Sequence, residues 1–306
     1  MLTGKQFIAK FDYVRPKTFQ EAVDFLVAHD GKAQPFMGGT DLFVRLRDGL
    51  QEARYVVDLK GLPGMLDITF DPTTGLRMGA AVNMNRMAAF PAVQARYSIL
   101  AEAAHTVASY QLRTRATVAG NLCNASPASD TAPACLVLDA NVVLWGSGGE
   151  RRLPLNGFFV GPGRTQMQPG EIMTAIEIPL PPDGTVGRYL KLGRNAVGDL
   201  AIVGVAAIGF PDATSVSGHR FRIALASVAP TPLRATAAEE ILAQCPLADE
   251  TIDAAAAAAM ASVTPISDVR GSAGYRERMV RNLTRRALRE VLGQLKAGER
   301  SWAHTK

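Results

Sequence analysis

The sequence predicts an α+β protein: two N-terminal lobes, then a C-terminal α+β domain with a three-stranded antiparallel sheet and helices. Three observations predict it. Short strand-like and helical stretches alternate as far as residue 178. A proline-rich joint, Pro179-Leu180-Pro181-Pro182, then interrupts the pattern. Beyond the joint, strands come first and helices last, the order of a separate α+β unit. The expected units are residues 1–60, 61–178 and 179–300.

The first unit opens on Thr18-Phe19-Gln20-Glu21, the spacing of a capping box, after which Phe19, Ala22, Val23 and Leu26 share one helical face. His29-Asp30-Gly31 should end that helix. Ala33 to Met37 reads as a strand, Gly38 to Asp41 as a turn into a helix through Leu46, and Tyr55 to Leu59 as another strand, giving a small β-α-β-α-β lobe. In the second unit, Asp71 to Gly75 is a turn between strands Leu66 to Phe70 and Leu76 to Ala80. Helices are expected over Met84 to Ala89 and Ile99 to Ser109. An apolar run, Cys135 to Trp145, broken by Asp139 and Asn141 and closed by Gly146 to Gly149, follows, and Ile172 to Pro179 is the last strand. The third unit should hold strands Tyr189 to Leu192, Leu200 to Phe210 and Phe221 to Val228. Helices over Leu233 to Leu242, Ala254 to Met260 and Gly274 to Leu295 then complete it.

At 306 residues and 47% hydrophobic, the chain can bury more than one core. Its apolar run between Asp199 and Asp212 falls far short of the roughly 20 residues of a membrane-spanning helix. Met1 to Phe11 lacks the apolar centre of a secretory leader. Three cysteines without a close pair suit a reducing compartment, so the expected location is the cytoplasm. The net charge of +5 gathers toward the C-terminus, at Arg276, Arg278, Arg281, Arg285, Arg286 and Arg289. Tyr275, Met279, Leu283, Leu288, Val291 and Leu292 recur there at helical spacing. The stretch therefore reads as the solvated or partner-facing side of an amphipathic helix. Aromatics that could stack on bases are missing, so no nucleic-acid partner is expected.

Much familiar chemistry is excluded. The four histidines make no metal-ligand spacing with the cysteines or with one another. Three cysteines are too few for an iron–sulfur cluster. No nucleophile elbow or Walker loop occurs. Gly146-Ser147-Gly148 and Gly161-Pro162-Gly163 lack the later glycine of a dinucleotide fingerprint, with Arg151 and Gln166 standing there. Cys123 and Cys135 read as small buried residues rather than redox groups, and His105 as a packed or surface histidine rather than a base. No catalytic residue and no metal ligand is assigned.

Two glycine-bearing segments hold more promise. Pro35-Phe36-Met37-Gly38-Gly39-Thr40-Asp41-Leu42 lies between a strand and a helix, where the backbone can approach a ligand and offer N–H groups to an anion. Thr114 to Asn121 is a small-residue loop with Asn124, Ser126 and Asp130 just behind it. Alone, the first is equally a plain turn and the second a self-capping polar loop. Together, one from each lobe, they could hold a diphosphate by N–H groups.

In order along the chain, the motifs resemble one family. The run Ala116 to Ala134 (ATVAGNLCNASPASDTAPA) is similar to the signature of the FAD-binding subunits of the xanthine dehydrogenase and aerobic carbon monoxide dehydrogenase group, the molybdenum hydroxylases. Phe11-Asp12-Tyr13-Val14-Arg15-Pro16 resembles that family's opening, Gly38-Gly39-Thr40-Asp41-Leu42 its first flavin loop, and Phe158 to Thr165 its middle-lobe motif. Ile176-Glu177-Ile178-Pro179, Lys191 and Gly198-Asp199 fit its joint and last domain. Ala119 stands where a glycine is common, and Thr40-Asp41 replaces a His-Ser or Gln-Ser pair. No cluster loop interrupts Asn124 to Ala134.

The resemblance implies a two-lobed FAD-binding domain of the vanillyl-alcohol-oxidase-like (PCMH) type, with FAD held non-covalently. Pro35, Phe36, Met37, Gly38, Gly39, Thr40, Asp41 and Leu42 would cradle the pyrophosphate, with Thr117, Val118, Ala119, Gly120 and Asn121 on its other side. Asn124 and Ser126 would stand behind the second loop. Asp130 would hold a polar group of the cofactor and Val107 would pack against it. Met173 and Lys191 would line the flavin or its ribityl chain, and Tyr189 would pack on the isoalloxazine ring. Also implied are a small subunit with [2Fe–2S] clusters and a large subunit with the molybdenum cofactor, assembled as a dimer of heterotrimers. Electrons would pass from the clusters through FAD to an external acceptor. The alternative is a self-sufficient FAD-dependent oxidase or reductase, which needs a proton-transfer residue of its own beside the flavin.

Overall fold

The computed structural model describes residues 8–195 and 198–303. Met1 to Phe7, most of the segment read as lacking a leader, and His304 lie outside the described residues.

The first lobe runs β1 (Asp12–Val14), α1 (Phe19–Ala28), β2 (Ala33–Phe36), α2 (Leu42–Arg47) and β3 (Tyr55–Asp58). Its strands make a parallel sheet in the order β1-β3-β2. Thr18 caps α1 by accepting the Glu21 N–H at 3.1 Å, while the Glu21 carboxylate accepts from Lys17 N–H, one residue short of the standard capping box. Ala22, Val23 and Leu26 are buried, and Phe19 lies against the Trp145 ring.

The second lobe begins with β4 (Ile68–Asp71) and β5 (Gly75–Gly79), then α3 (Met84–Ala88), α4 (Pro91–Arg96), α5 (Ser98–His105), α6 (Tyr110–Arg113), α7 (Val118–Asn124) and α8 (Thr131–Val137). It closes with β6 (Asn141–Gly146), β7 (Gly149–Pro154), β8 (Phe159–Gly161), β9 (Arg164–Thr165) and β10 (Ile172–Ile178). Five strands form an antiparallel sheet in the order β4-β5-β10-β6-β7, and β8-β9 is a small hairpin. Both discarded glycine clusters are hairpin turns here.

Two expectations need correction in this lobe. The helix expected through Ser109 stops at His105, because Ala108 takes a left-handed φ of 43°. The apolar run Cys135 to Trp145 divides where Asp139 and Asn141 break it: α8 ends, Asp139 turns the chain at φ 52°, and β6 begins at Asn141. Thr114 to Asn121 is not a loop throughout. Thr117 caps α7 by accepting the Gly120 N–H at 2.9 Å.

The C-terminal domain holds β11 (Val186–Leu192), β12 (Val203–Pro211), β13 (His219–Ala226), β14 (Leu233–Arg234), α9 (Thr236–Gln244), α10 (Asp249–Ala261) and α11 (Ala273–Ala303). Its antiparallel sheet has four strands, β11-β12-β13-β14, not three. Leu233 and Arg234, expected in a helix, pair with Leu225 and Ala224. The Arg234 guanidinium holds them there by reaching both Glu239 and Asp139. Strand periodicity splits β12 between two cores. Ala206, Ile208 and Phe210 join the core of the second lobe, while Val203, Val205 and Ala207 pack under α10 and α11. The sheet thus fastens the C-terminal domain to the rest, and β11 is carried toward the N-terminal lobes.

Candidate functional site

A cavity of about 550 Å³ opens where the first and second lobes meet the C-terminal domain. That is within the range of about 300–1,000 Å³ typical of ligand sites. From the first lobe, all of Pro35 to Leu42 line it; from the second, Val107, Thr117, Gly120, Asn121, Asn124, Ser126, Asp130 and Met173 do. Residues far apart in sequence therefore share one wall because β2 ends and α7 begins at the same place.

The glycines explain how closely the lobes approach. A Cβ on Gly38 would lie 2.3 Å from the Arg115 carbonyl oxygen, so the two segments touch backbone to backbone. Gly39 has φ 75°, and a Cβ there would press on the Phe36 and Phe43 rings. Among the described residues, the N–H groups of Gly38, Gly39, Thr40 and Asp41 donate to no protein acceptor. At the two glycines no side chain stands in the way, and the run of unpaired donors suits an anionic bridge between two larger groups. The diphosphate of a dinucleotide such as FAD has that chemistry, so the residues present fit the cofactor the sequence implies.

Asp130 is set deep in the wall. Its side chain is 7% exposed; Tyr189 Oη donates to one carboxylate oxygen at 2.7 Å and Lys191 Nζ to the other at 2.7 Å. Lys191 also donates to the Thr106 carbonyl, and Tyr189 N–H to the Glu102 carboxylate. Burial raises the Asp130 carboxyl above its ordinary value, and the ammonium and hydroxyl pull against that without cancelling it. Burial and the Asp130 charge push the Tyr189 hydroxyl up as well.

Four expected residues do not line the cavity. Val118 and Ala119 turn their side chains into the core. Tyr189 is only 3% exposed and does not face the cavity as a platform for a ring. Its hydroxyl is spent on Asp130, and strand alternation turns the ring inward. Lys191 lies beside it on the same strand and likewise reaches the cavity only through Asp130.

Sequence reading passed over other lining residues: Gln34, Arg45, Gln51, Cys123, Met167, Glu171 and Leu200 among them. Arg45 Nη2 donates to Asn124 Oδ1 at 2.5 Å, across the two lobes. Glu171 is locked by Arg151 at 2.6 Å, and Asp199, also lining the cavity, by Arg194, whose hydrogen bonds hold its carboxyl down at about 2. Burial pushes the Cys123 thiol up to about 12, so it is a neutral thiol beside Met167 and not a nucleophile. No sequence pattern marks Arg45 or Glu171, since both belong to the cavity only through long-range packing. Among the described residues no group of His, Cys, Asp or Glu is placed to hold a metal, and no helix is long and apolar enough to cross a membrane.

Comparison with known proteins agrees with this geometry. Residues 9–181 match the family described as "FAD binding domain in molybdopterin dehydrogenase", and residues 188–291 the "CO dehydrogenase flavoprotein C-terminal domain". The carbon monoxide dehydrogenase medium chain of Hydrogenophaga pseudoflava is 34% identical, over 91% of this chain and 96% of that one. The xanthine dehydrogenase FAD-binding subunit of Escherichia coli O157:H7 is 30% identical, over 92% and 95%. Among solved structures, carbon monoxide dehydrogenase from H. pseudoflava lacking the Mo-pyranopterin moiety superposes with a TM-score of 0.89, at 34% identity, over 94% of this chain and 99% of that one. Quinoline 2-oxidoreductase from Pseudomonas putida 86 gives 0.85 at 26% identity, over 95% and 99%.

Proposed function

This chain belongs to the family of FAD-binding medium subunits of molybdenum-containing dehydrogenases, and on that premise we propose that it relays electrons within a larger cytoplasmic complex. Electrons arrive from [2Fe–2S] clusters on a small partner subunit and leave through FAD to an external acceptor. The substrate is oxidised at a molybdenum centre on a large partner subunit, and the three chains assemble as a dimer of heterotrimers.

One observation carries the proposal: Gly38 meets the Arg115–Ala116 backbone, and Gly38, Ala116 and Thr117 line a single cavity, so each N-terminal lobe contributes one wall of a diphosphate cradle. FAD, held there non-covalently, supplies the redox chemistry. The chain's own residues bind and orient it. Pro35 to Leu42 and the start of α7 grip the diphosphate, Asp130 accepts from a polar group, and Val107 and Met173 give apolar walls. Of the four carboxylates lining the cavity among the described residues, Asp130, Glu171 and Asp199 are each tied to a cation, and the fourth, Asp41, belongs to the segment assigned to the diphosphate. That favours the relay over a self-sufficient oxidase, which needs a proton-transfer group of its own beside the ring.

The test is isolation from the native source, with a visible spectrum and identification of accompanying chains. Flavin absorption together with iron–sulfur and molybdenum partners supports the relay; a lone chain that oxidises a substrate by itself refutes it. A substitution tests the cradle. Gly38→Ala should part the two loops, cost about 1–3 kcal/mol in stability as an overpacked contact, and lower the flavin content of the purified protein. Wild-type flavin content would contradict the assignment.

A further inference from the structure

Among the described residues, five charged ones line the cavity: Asp41, Arg45, Asp130, Glu171 and Asp199. Three of these carboxylates are matched by Lys191, Arg151 and Arg194. Among the described residues Arg45 is the one cation of the wall, and no carboxylate lies within ion-pair distance of it. Asp41, one helical turn earlier on α2, is not within that distance either. The side-chain bond Arg45 does make is to a neutral acceptor, the Asn124 amide oxygen, and it runs from α2 of the first lobe to the last residue of α7 in the second.

A guanidinium has five N–H donors in one plane, a match for two oxygens of a phosphate. One donor anchors Arg45 to Asn124, which leaves the others for a ligand. The anchor joins Asn124, the end of the second lining segment, to the helix that follows Gly38 to Asp41. The free N–H groups of the first segment provide hydrogen bonds but only partial charge, whereas a diphosphate carries full negative charges.

Building on the flavin reading above, we propose that Arg45 is the charge partner of the cofactor's diphosphate, presented across the cleft by Asn124. It is a binding residue, not a catalytic one. Arg47, on the same helix, pairs with Asp48 and does not line the cavity, so it serves as the control for a lost charge on α2.

The test uses the full chain stripped of flavin and titrated with FAD, following quenching of flavin fluorescence, for wild type, Arg45→Gln, Arg45→Lys and Arg47→Gln. Arg45→Gln should weaken FAD binding about ten- to a hundred-fold at low salt, the range of a charge-assisted hydrogen bond. Arg45→Lys should recover part of the loss, and Arg47→Gln should bind as wild type. The gap between wild type and Arg45→Gln should narrow as ionic strength approaches about 1 M, where charges are screened within about 3 Å. Unchanged affinity in Arg45→Gln overturns the proposal. So does a loss that is indifferent to salt, which would mark a structural role. A wild-type chain that takes up no FAD would instead sink the flavin reading itself, and this proposal with it.

Discussion

Asp130 shows how one residue can organise a site without performing chemistry. It faces the cavity on one side and takes two short hydrogen bonds from Tyr189 and Lys191 on the other. The side chains of the Lys191–Asp130 pair are only 11% and 7% exposed, so removing the carboxylate leaves an ammonium buried without a counter-charge. Asp130→Asn should cost about 3–5 kcal/mol. Tyr189→Phe removes one hydrogen bond and should cost about 1 kcal/mol. Urea unfolding of both variants measures the ordering; equal losses would mean that the charge is not what matters there.

At the scale of elements, the parallel sheet of the first lobe is held at its end by Asp58, the last residue of β3. Tyr13 on β1 donates to its carboxylate, and Lys60 donates from both side chain and backbone. Burial alone would raise this carboxyl, but the Lys60 and Tyr13 hydrogen bonds outweigh it and hold the group below the ordinary value. A depressed folded-state value means stabilisation that is present above the ordinary carboxylate range and fades as pH falls through the lower, folded value. Asp58→Asn should therefore lower the melting temperature at neutral pH, and the difference from wild type should shrink in acid. A difference that stays constant with pH would exclude this linkage.

For the whole molecule, the decisive feature is the sheet of the C-terminal domain, whose two faces serve two cores. Pro127 near the cavity accepts the Ser227 N–H at 2.7 Å, and Arg222 and Arg234 reach back to α8 and Asp139, so the domains are tied by hydrogen bonds as well. Ile208 belongs to the core of the second lobe although it sits on β12. Ile208→Ala should cost about 2–5 kcal/mol and destabilise α5 and α11 together. Hydrogen exchange that weakens in only one of these helices would show that the domains unfold independently.

Local chemistry was legible in the sequence. The Thr18 cap, the hairpin glycines at 146–149 and the strand β12 are written in turn residues and periodicity, which act over a few positions. The resemblance carried by Ala116 to Ala134 points to the family, since nineteen consecutive positions constrain it far more than any single glycine. Local pattern and resemblance thus settle the order and type of most elements, the segments able to bare backbone N–H groups, and the family.

Tertiary structure alone decided which residues share a wall. Arg45 meets Asn124, and Asp130 meets Lys191, across 79 and 61 positions of chain. Tyr189 turns inward because its strand must bury that face against the second lobe. No local pattern encodes such pairings: they follow from how apolar faces are shared between lobes, and the polar groups end up wherever that packing leaves them.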